Sequence, residues 1–226
     1  MPTAIVTGAS RGLGLALSRA LVRRGWRLVV DARGGDALDR EWGNTLGVVA
    51  LPGDVADPEH RRALVAAAAG PIDLLVNNAS LLGPSPQPPL AGYPLDELRR
   101  VYEVNVTAPL ALVQEALPLL YQGSGRVLNI TSDASVEPYE GWGGYGSSKA
   151  ALDQLTAILA AEHADLRVYA ADPGDMRTQM QQNAFPGEDI SDRPPPEDSV
   201  PGLLALIEGD LPSGRYSVRE LAKASA

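Results

Sequence analysis

Tyr145 and Lys149 stand four residues apart, and Ser132 precedes the tyrosine by thirteen residues. In a helix, a phenol and an ammonium at i, i+4 share one face. A free tyrosine has a pKa of about 10 and exchanges protons poorly at neutral pH, but a neighbouring cation favours its anion and brings it toward the working range. Lys149 is placed to supply that cation. Ser132 closes the apolar run Arg126 to Thr131 and offers a hydroxyl to an oxygen on which negative charge grows. The chemistry these three suit is proton transfer at the oxygen of a carbonyl or an alcohol. The carbon of the same group then needs a hydride donor or acceptor.

The N-terminal segment suits such a carrier. The run Thr3 to Thr7 leads into Gly8-Ala9-Ser10-Arg11-Gly12-Leu13-Gly14, and an amphipathic stretch from Leu15 to Arg24 follows. Glycine lets backbone approach phosphate. A helix beginning near Gly12 offers unpaired N–H groups and a positive dipole end to a pyrophosphate, and Ser10 adds a hydroxyl. The spacing G-x-x-x-G-x-G departs from the G-x-G-x-x-G fingerprint but uses the same physics. Eighteen residues beyond Gly14, where an acid would bind the ribose hydroxyls of NAD, stands Ala32. Arg33 follows it and Arg11 lies in the turn, so two guanidinium groups can converge on a 2′-phosphate. NADP(H) is therefore favoured. Asp31, one position away, leaves NAD(H) open.

The elements that must position these residues are legible as short apolar runs: Thr3 to Thr7, Arg27 to Val30, Gly47 to Leu51, Ile72 to Val76, Arg126 to Ile130, Arg167 to Ala171 and Arg215 to Val218. Helix-period stretches lie between them, notably Leu95 to Tyr121 and Gly146 to Ala161. Such alternation requires parallel strands with right-handed crossovers. The expectation is α/β: a single doubly wound, Rossmann-type domain over residues 1–226, with about seven mainly parallel strands and helices on both faces. Its ligands would sit beyond the C-terminal strand ends. Pro109 and Pro118 predict a bend or a break within Leu95 to Tyr121. Residues 179–200, polar, acidic and containing Pro194-Pro195-Pro196, are too long for an ordinary connection and are predicted to form a substrate lid, the alternative being an exposed acidic loop.

Composition narrows the partners. At 226 residues the chain suits one domain, and its formal net charge of −9 argues against nucleic acid or an anionic membrane. The absence of cysteine excludes disulfides and thiol nucleophiles, and two distant histidines, His60 and His163, make a metal site improbable. Both histidines are expected at the surface. Met1-Pro2-Thr3 enters the first strand directly and no apolar run reaches spanning length, so a cytoplasmic location is expected.

On these residues the chain resembles the classical type of the short-chain dehydrogenase/reductase family, whose opening Thr-Gly-x-x-x-Gly-x-Gly is matched by Thr7 through Gly14. The resemblance extends over most of the chain. Asp54 and Val55 resemble the pair that contacts adenine. Asn77-Asn78-Ala79 resembles the Asn-Asn-Ala-Gly segment that braces the sheet and borders the cofactor, with Ser80 in place of its glycine. The resemblance implies that Lys149 bonds the nicotinamide ribose, that Tyr145 exchanges the proton, and that Asn105 helps hold a water linking the lysine to solvent. Pro173 and Gly174, with Thr178 near the carboxamide, would set the nicotinamide face. It also implies a homodimer or homotetramer paired through helices matching Leu95 to Tyr121 and Gly146 to Ala161. The implied activity is a carbonyl reductase or alcohol dehydrogenase acting on a small molecule. The alternatives are an NAD-preferring dehydrogenase of the same family and a dinucleotide-sensing protein without chemistry, against which the intact Ser132, Tyr145 and Lys149 argue. Ser135, Glu137, Tyr139, Trp142, Met176 and Met180 are expected near the pocket and single out no substrate.

Overall fold

Every strand but the two at the edges is mainly aliphatic and buried on both faces, as in a parallel sheet covered by helices. The computed structural model describes residues 1–123 and 125–224. Its strands are β1 (Thr3–Val6), β2 (Arg27–Ala32), β3 (Val48–Pro52), β4 (Leu74–Asn77), β5 (Arg126–Ile130), β6 (Arg167–Asp172) and β7 (Gly214–Ser217). They form a seven-stranded sheet in the order β3-β2-β1-β4-β5-β6-β7. All neighbours pair parallel. The expected architecture is therefore observed, with no antiparallel strand among the described residues.

The helices are α1 (Gly12–Arg23), α2 (Gly35–Trp42), α3 (Pro58–Ala67), α4 (Leu95–Tyr102), α5 (Ala108–Leu120), α6 (Gly143–Glu162), α7 (Gln179–Ala184), α8 (Val200–Glu208) and α9 (Val218–Ala224). Strand alternation divides the core into two layers. Ala4, Val6, Leu28, Val30, Leu128, Ile130, Tyr169 and Ala171 pack against α1, α2 and α8 through Leu17, Leu21, Trp42, Leu203 and Ile207. Ile5, Val29, Leu75, Val127 and Val168 face the other way, against Leu64 of α3, Leu112 and Ala116 of α5, and Leu159 of α6.

The disturbance expected in Leu95 to Tyr121 takes a form that proline alone does not dictate. A π-helical turn, Glu103–Thr107, joins α4 to α5. Pro109 falls in the first turn of α5 and Pro118 lies inside it. Pro109 has no N–H to return to the Asn105 carbonyl four residues earlier, so the regular α pattern cannot pass through Asn105 unchanged. The segment 179–200 is likewise not a single loop, since it opens with α7 and closes with a 3-10 turn, Pro196–Ser199.

Candidate active site

Gly8, Gly12 and Gly14 build the turn between β1 and α1. Gly8 and Gly12 hold φ of +70° and +56°, the left-handed region where a side chain is strained. A methyl on Gly14 would stand 2.4 Å from the Gly8 carbonyl and 2.5 Å from Asn78 Nδ2, so only glycine permits this approach of helix to strand. No side chain caps the N-terminus of α1 and its first turn carries no acid, so its N–H groups face the cleft. A cleft of about 1050 Å³ with a mixed polar and apolar lining begins there, lined by Ser10, Arg11, Gly12, Leu13, Arg33, Asp54, Val55, Asn78, Ala79, Ser132, Tyr145, Lys149, Pro173, Gly174 and Thr178. Residues from six strand ends are thus brought together, and with them nearly the whole predicted set. A glycine-lined turn, an uncapped helix N-terminus and a long cleft of mixed polar and apolar lining fit a dinucleotide.

The asparagines brace this floor. Asn77 Nδ2 donates to Asn129 Oδ1 at 2.8 Å, and Asn129 Nδ2 donates to Thr156 Oγ1 at 2.8 Å, linking β4, β5 and α6 through buried bonds. Asn78 donates from Nδ2 to the Thr7 carbonyl at 2.8 Å, while the Thr7 hydroxyl accepts from the N–H groups of Asn78 and Ala79 at 2.9 and 3.0 Å. Asn105 is 1 % exposed. Its Oδ1 accepts from Leu81 N–H at 2.8 Å and from the Ser80 hydroxyl at 3.1 Å, and its Nδ2 donates to the Leu81 carbonyl at 2.9 Å and to Ser148 Oγ at 3.0 Å. Its side chain therefore ties the end of β4 to α6.

At the end of the cleft away from Tyr145, Arg11 and Arg33 are exposed on the wall, and neither guanidinium has a hydrogen bond or ion pair among the described residues. Asp31 has its carboxylate engaged instead. Its Oδ1 accepts from Gly8 N–H at 2.7 Å and its Oδ2 meets His60 Nε2 at 3.0 Å. His60 is 9 % exposed, which corrects the expectation that both histidines lie at the surface. Its burial follows from a buried carboxylate that needs a donor. Asp54 caps its own turn, accepting from Ala56 N–H at 3.0 Å.

Tyr145 and Lys149 are both buried and lie on the same face of α6, where the Lys149 ammonium stands 5.5 Å from the centre of the tyrosine ring. Lys149 Nζ donates to the Ile130 carbonyl at 2.8 Å. Burial pushes its pKa down to about 8, with Asp153 acting the other way. Burial pushes the Tyr145 phenol above its usual range, hydrogen bonding with Ser80 opposes that, Asp172 and Asp133 add to it, and hydrogen bonding with Ser132 opposes it again. The expectation that Lys149 acidifies the phenol is thus not met in the protein alone, because desolvation dominates and the ammonium is turned to a carbonyl. Ser80 is the residue that sequence reasoning passed over. It was legible only as a departure from glycine, yet its hydroxyl joins Asn105 beside the phenol.

Ser132 Oγ donates to Asp133 Oδ1 at 2.9 Å and accepts from Ala134 N–H at 3.2 Å, capping a short 3-10 turn. Its carbonyl accepts from Arg215 Nη2 at 3.1 Å, and Arg215 also pairs with Asp172 and Asp153, each at 3.1 Å. Gly174 N–H donates to Asp172 Oδ1 at 3.0 Å, and Thr178 caps α7 near Gly12. Trp142, Met176 and Met180 line the cleft as expected, with the Trp142 ring 5.8 Å from that of Tyr145. Ser135, Glu137 and Tyr139 do not line it. Ser135 donates to Asp153 and Tyr139 to Asp133.

Residues 2–189 match the model of the family described as short chain dehydrogenase. The chain belongs to that family, and is an oxidoreductase. It is 34% identical over 187 residues to serine 3-dehydrogenase of Rhizobium radiobacter, covering 79% of this chain and 73% of that protein. It is 36% identical over 190 residues to 2-(R)-hydroxypropyl-CoM dehydrogenase of Xanthobacter autotrophicus, covering 79% and 76%. Among solved structures, a short chain dehydrogenase from Escherichia coli complexed with NADPH superposes with a TM-score of 0.88 at 27% identity, covering 96% of each chain. No helix among the described residues is long and apolar enough to cross a membrane.

Proposed function

We propose that the chain is an NADP(H)-dependent oxidoreductase that interconverts a small aldehyde or ketone and its alcohol. The observation that carries this reading is the convergence of Ser132, Tyr145 and Lys149 on the cleft whose other end is the glycine turn with two unpaired arginines. Gly8 to Gly14 and the N-terminus of α1 would hold the pyrophosphate, Asp54 and Val55 the adenine, and Arg11 and Arg33 a 2′-phosphate. Asn78, Ala79, Pro173, Gly174 and Thr178 would border the nicotinamide half. The burial of Asp31, 1 % exposed with its oxygens turned to Gly8 and His60, supports NADP(H) over NAD(H), since the carboxylate is not presented to a ribose hydroxyl.

The bound nicotinamide would supply a hydride to a carbonyl carbon, or take one from an alcohol. In the reducing direction, Tyr145 gives its proton to the carbonyl oxygen, where negative charge would otherwise accumulate. A buried phenol of raised pKa holds that proton until it is needed. Ser132, by rotating its hydroxyl from Asp133 to the substrate, hydrogen-bonds the same oxygen. Lys149 favours the phenolate that remains and presents its ammonium to the nicotinamide ribose. Asn105 acts by holding Leu81 and Ser148 in place around these groups.

Helix α7 supports a lid role for residues 179–200. Met180 and Ala184 pack against the cluster of Leu82, Ala134 and Tyr145, and Phe185 meets Trp142 at 5.9 Å between ring centres. Leu95, Tyr121 and Ile158 leave apolar surface on the helices expected to pair two copies, which supports a homo-oligomer that a solution mass measurement would reveal. The functional test is a panel of aldehydes, ketones and secondary alcohols assayed with NADPH and NADH. Consumption of NADPH with at least one carbonyl is expected; binding of NADPH without turnover across the panel would overturn the reading.

A further inference from the structure

Asp31 is the penultimate residue of β2, and alternation puts its side chain on the face of Val29, toward α3, rather than with Ala32. There it is 1 % exposed. A carboxylate so buried is tolerated only when its oxygens are bonded. Gly8 N–H satisfies one at 2.7 Å and His60 Nε2 the other at 3.0 Å. Because a carboxylate only accepts, Nε2 carries the proton. The Asp31 carbonyl also accepts from Ala9 N–H at 2.8 Å, so this residue holds two consecutive amides of the glycine turn.

The other edge of the imidazole meets a second turn. A methyl on Gly53 would stand 2.2 Å from His60 Nδ1, which shows how closely the ring lies against the β3–α3 turn. The next residue, Arg61, donates to the Val55 carbonyl at 2.7 Å. The first turn of α3 therefore reaches the glycine turn through Asp31 and the Gly53–Val55 turn directly. The catalytic steps use neither His60 nor Asp31.

We propose that His60 is a positioning residue for the adenosine half of the dinucleotide, keeping the glycine turn and the Gly53–Val55 turn in register through the Asp31 carboxylate. The inference rests on the dinucleotide reading of the cleft, but not on the preference for NADP(H). Loss of the imidazole leaves an Asp31 oxygen buried without its donor, and water drawn in to replace it loosens the carboxylate's hold on Gly8. Glutamine can bring an amide N–H to the place of Nε2; leucine cannot.

The test compares His60→Leu, His60→Gln and Gly53→Ala, the last because its methyl must push the ring off Asp31. Adenosine 2′,5′-bisphosphate and ADP serve as calorimetric probes of the adenosine half, and kcat and KM for the reduced dinucleotide complete the measurement. His60→Leu is expected to weaken the tighter probe by about tenfold, raise the dinucleotide KM in proportion and leave kcat at saturation within about threefold. His60→Gln should recover most of the loss, and Gly53→Ala should reproduce it. Unchanged probe affinity in His60→Leu, or a fall in kcat without a rise in KM, would overturn the inference alone. If His60→Leu does not fold, equal affinities in His60→Gln, Gly53→Ala and the parent decide against it and a selective loss in Gly53→Ala decides for it. A parent protein that binds neither probe would overturn the dinucleotide reading itself, and tighter binding of ADP than of the bisphosphate only the NADP(H) preference.

Discussion

The Lys149 ammonium lies 5.5 Å from the centre of the Tyr145 ring and is held by the Ile130 carbonyl at 2.8 Å, so the cation is fixed beside the phenol before any ligand arrives. Pre-positioning has a cost in stability, since burial lowers the lysine from 10.5 to about 8. Between those values the folded chain binds fewer protons than the unfolded one, so stability rises with pH from 8 to 10.5, and below pH 8 the full penalty applies.

Lys149→Met should therefore stabilise the protein while removing its activity. The penalty relieved is about 3 kcal/mol at about 1.4 kcal/mol per pH unit, less about 1–2 kcal/mol for the lost bond to Ile130. Thermal denaturation at pH 7 should show a rise of about 2–8 °C in Tm, shrinking as the pH approaches 10.5. A lower Tm at both pH values would show that the buried ammonium is not a burden on the fold.

Ser80→Gly should move the proton step. Hydrogen bonding with Ser80 is the main influence opposing burial at the Tyr145 phenol, so its removal raises the pKa further. Alcohol oxidation needs the phenolate, and its rate should climb at higher pH in the variant than in the parent, with kcat at neutral pH reduced by about threefold to tenfold. Superimposable pH profiles would assign Ser80 to the Asn105 network alone.

Arg33→Ala addresses the cofactor. Loss of a charge-assisted bond to a 2′-phosphate should weaken NADPH by about 10- to 100-fold and leave NADH within about threefold. Fluorescence titration with both nucleotides measures this directly, and an equal effect on each would remove Arg33 from the selectivity.

Much of this was legible in the sequence because parallel strands buried on both faces are written as continuous apolar runs. β5 matches its expected bounds, and β4 starts two residues later than the apolar run suggests, at Leu74. The glycine turn and Tyr145–Lys149 were legible because each depends on local spacing. What escaped depends on partners distant in the chain. His60 is buried against Asp31 on a strand twenty-nine residues earlier, and β2 extends past the apolar run to Ala32 because Asp31 and Ala32 pair with Leu51 and Pro52 of β3. The rise in the phenol's pKa follows from burial beneath Trp142 and Met180 and from Asp172, none of which the i, i+4 spacing reveals. Pro109 announced a disturbance in the helix, but not its form, the π turn over Glu103–Thr107.

Tyr145→Phe tests most directly the role of Tyr145 as the proton carrier in an NADP(H)-dependent carbonyl–alcohol exchange. With the best carbonyl from the panel, turnover followed at the reduced-nicotinamide absorbance should fall by at least about 100-fold while the NADPH dissociation constant stays within about twofold. Undiminished turnover in Tyr145→Phe would contradict it.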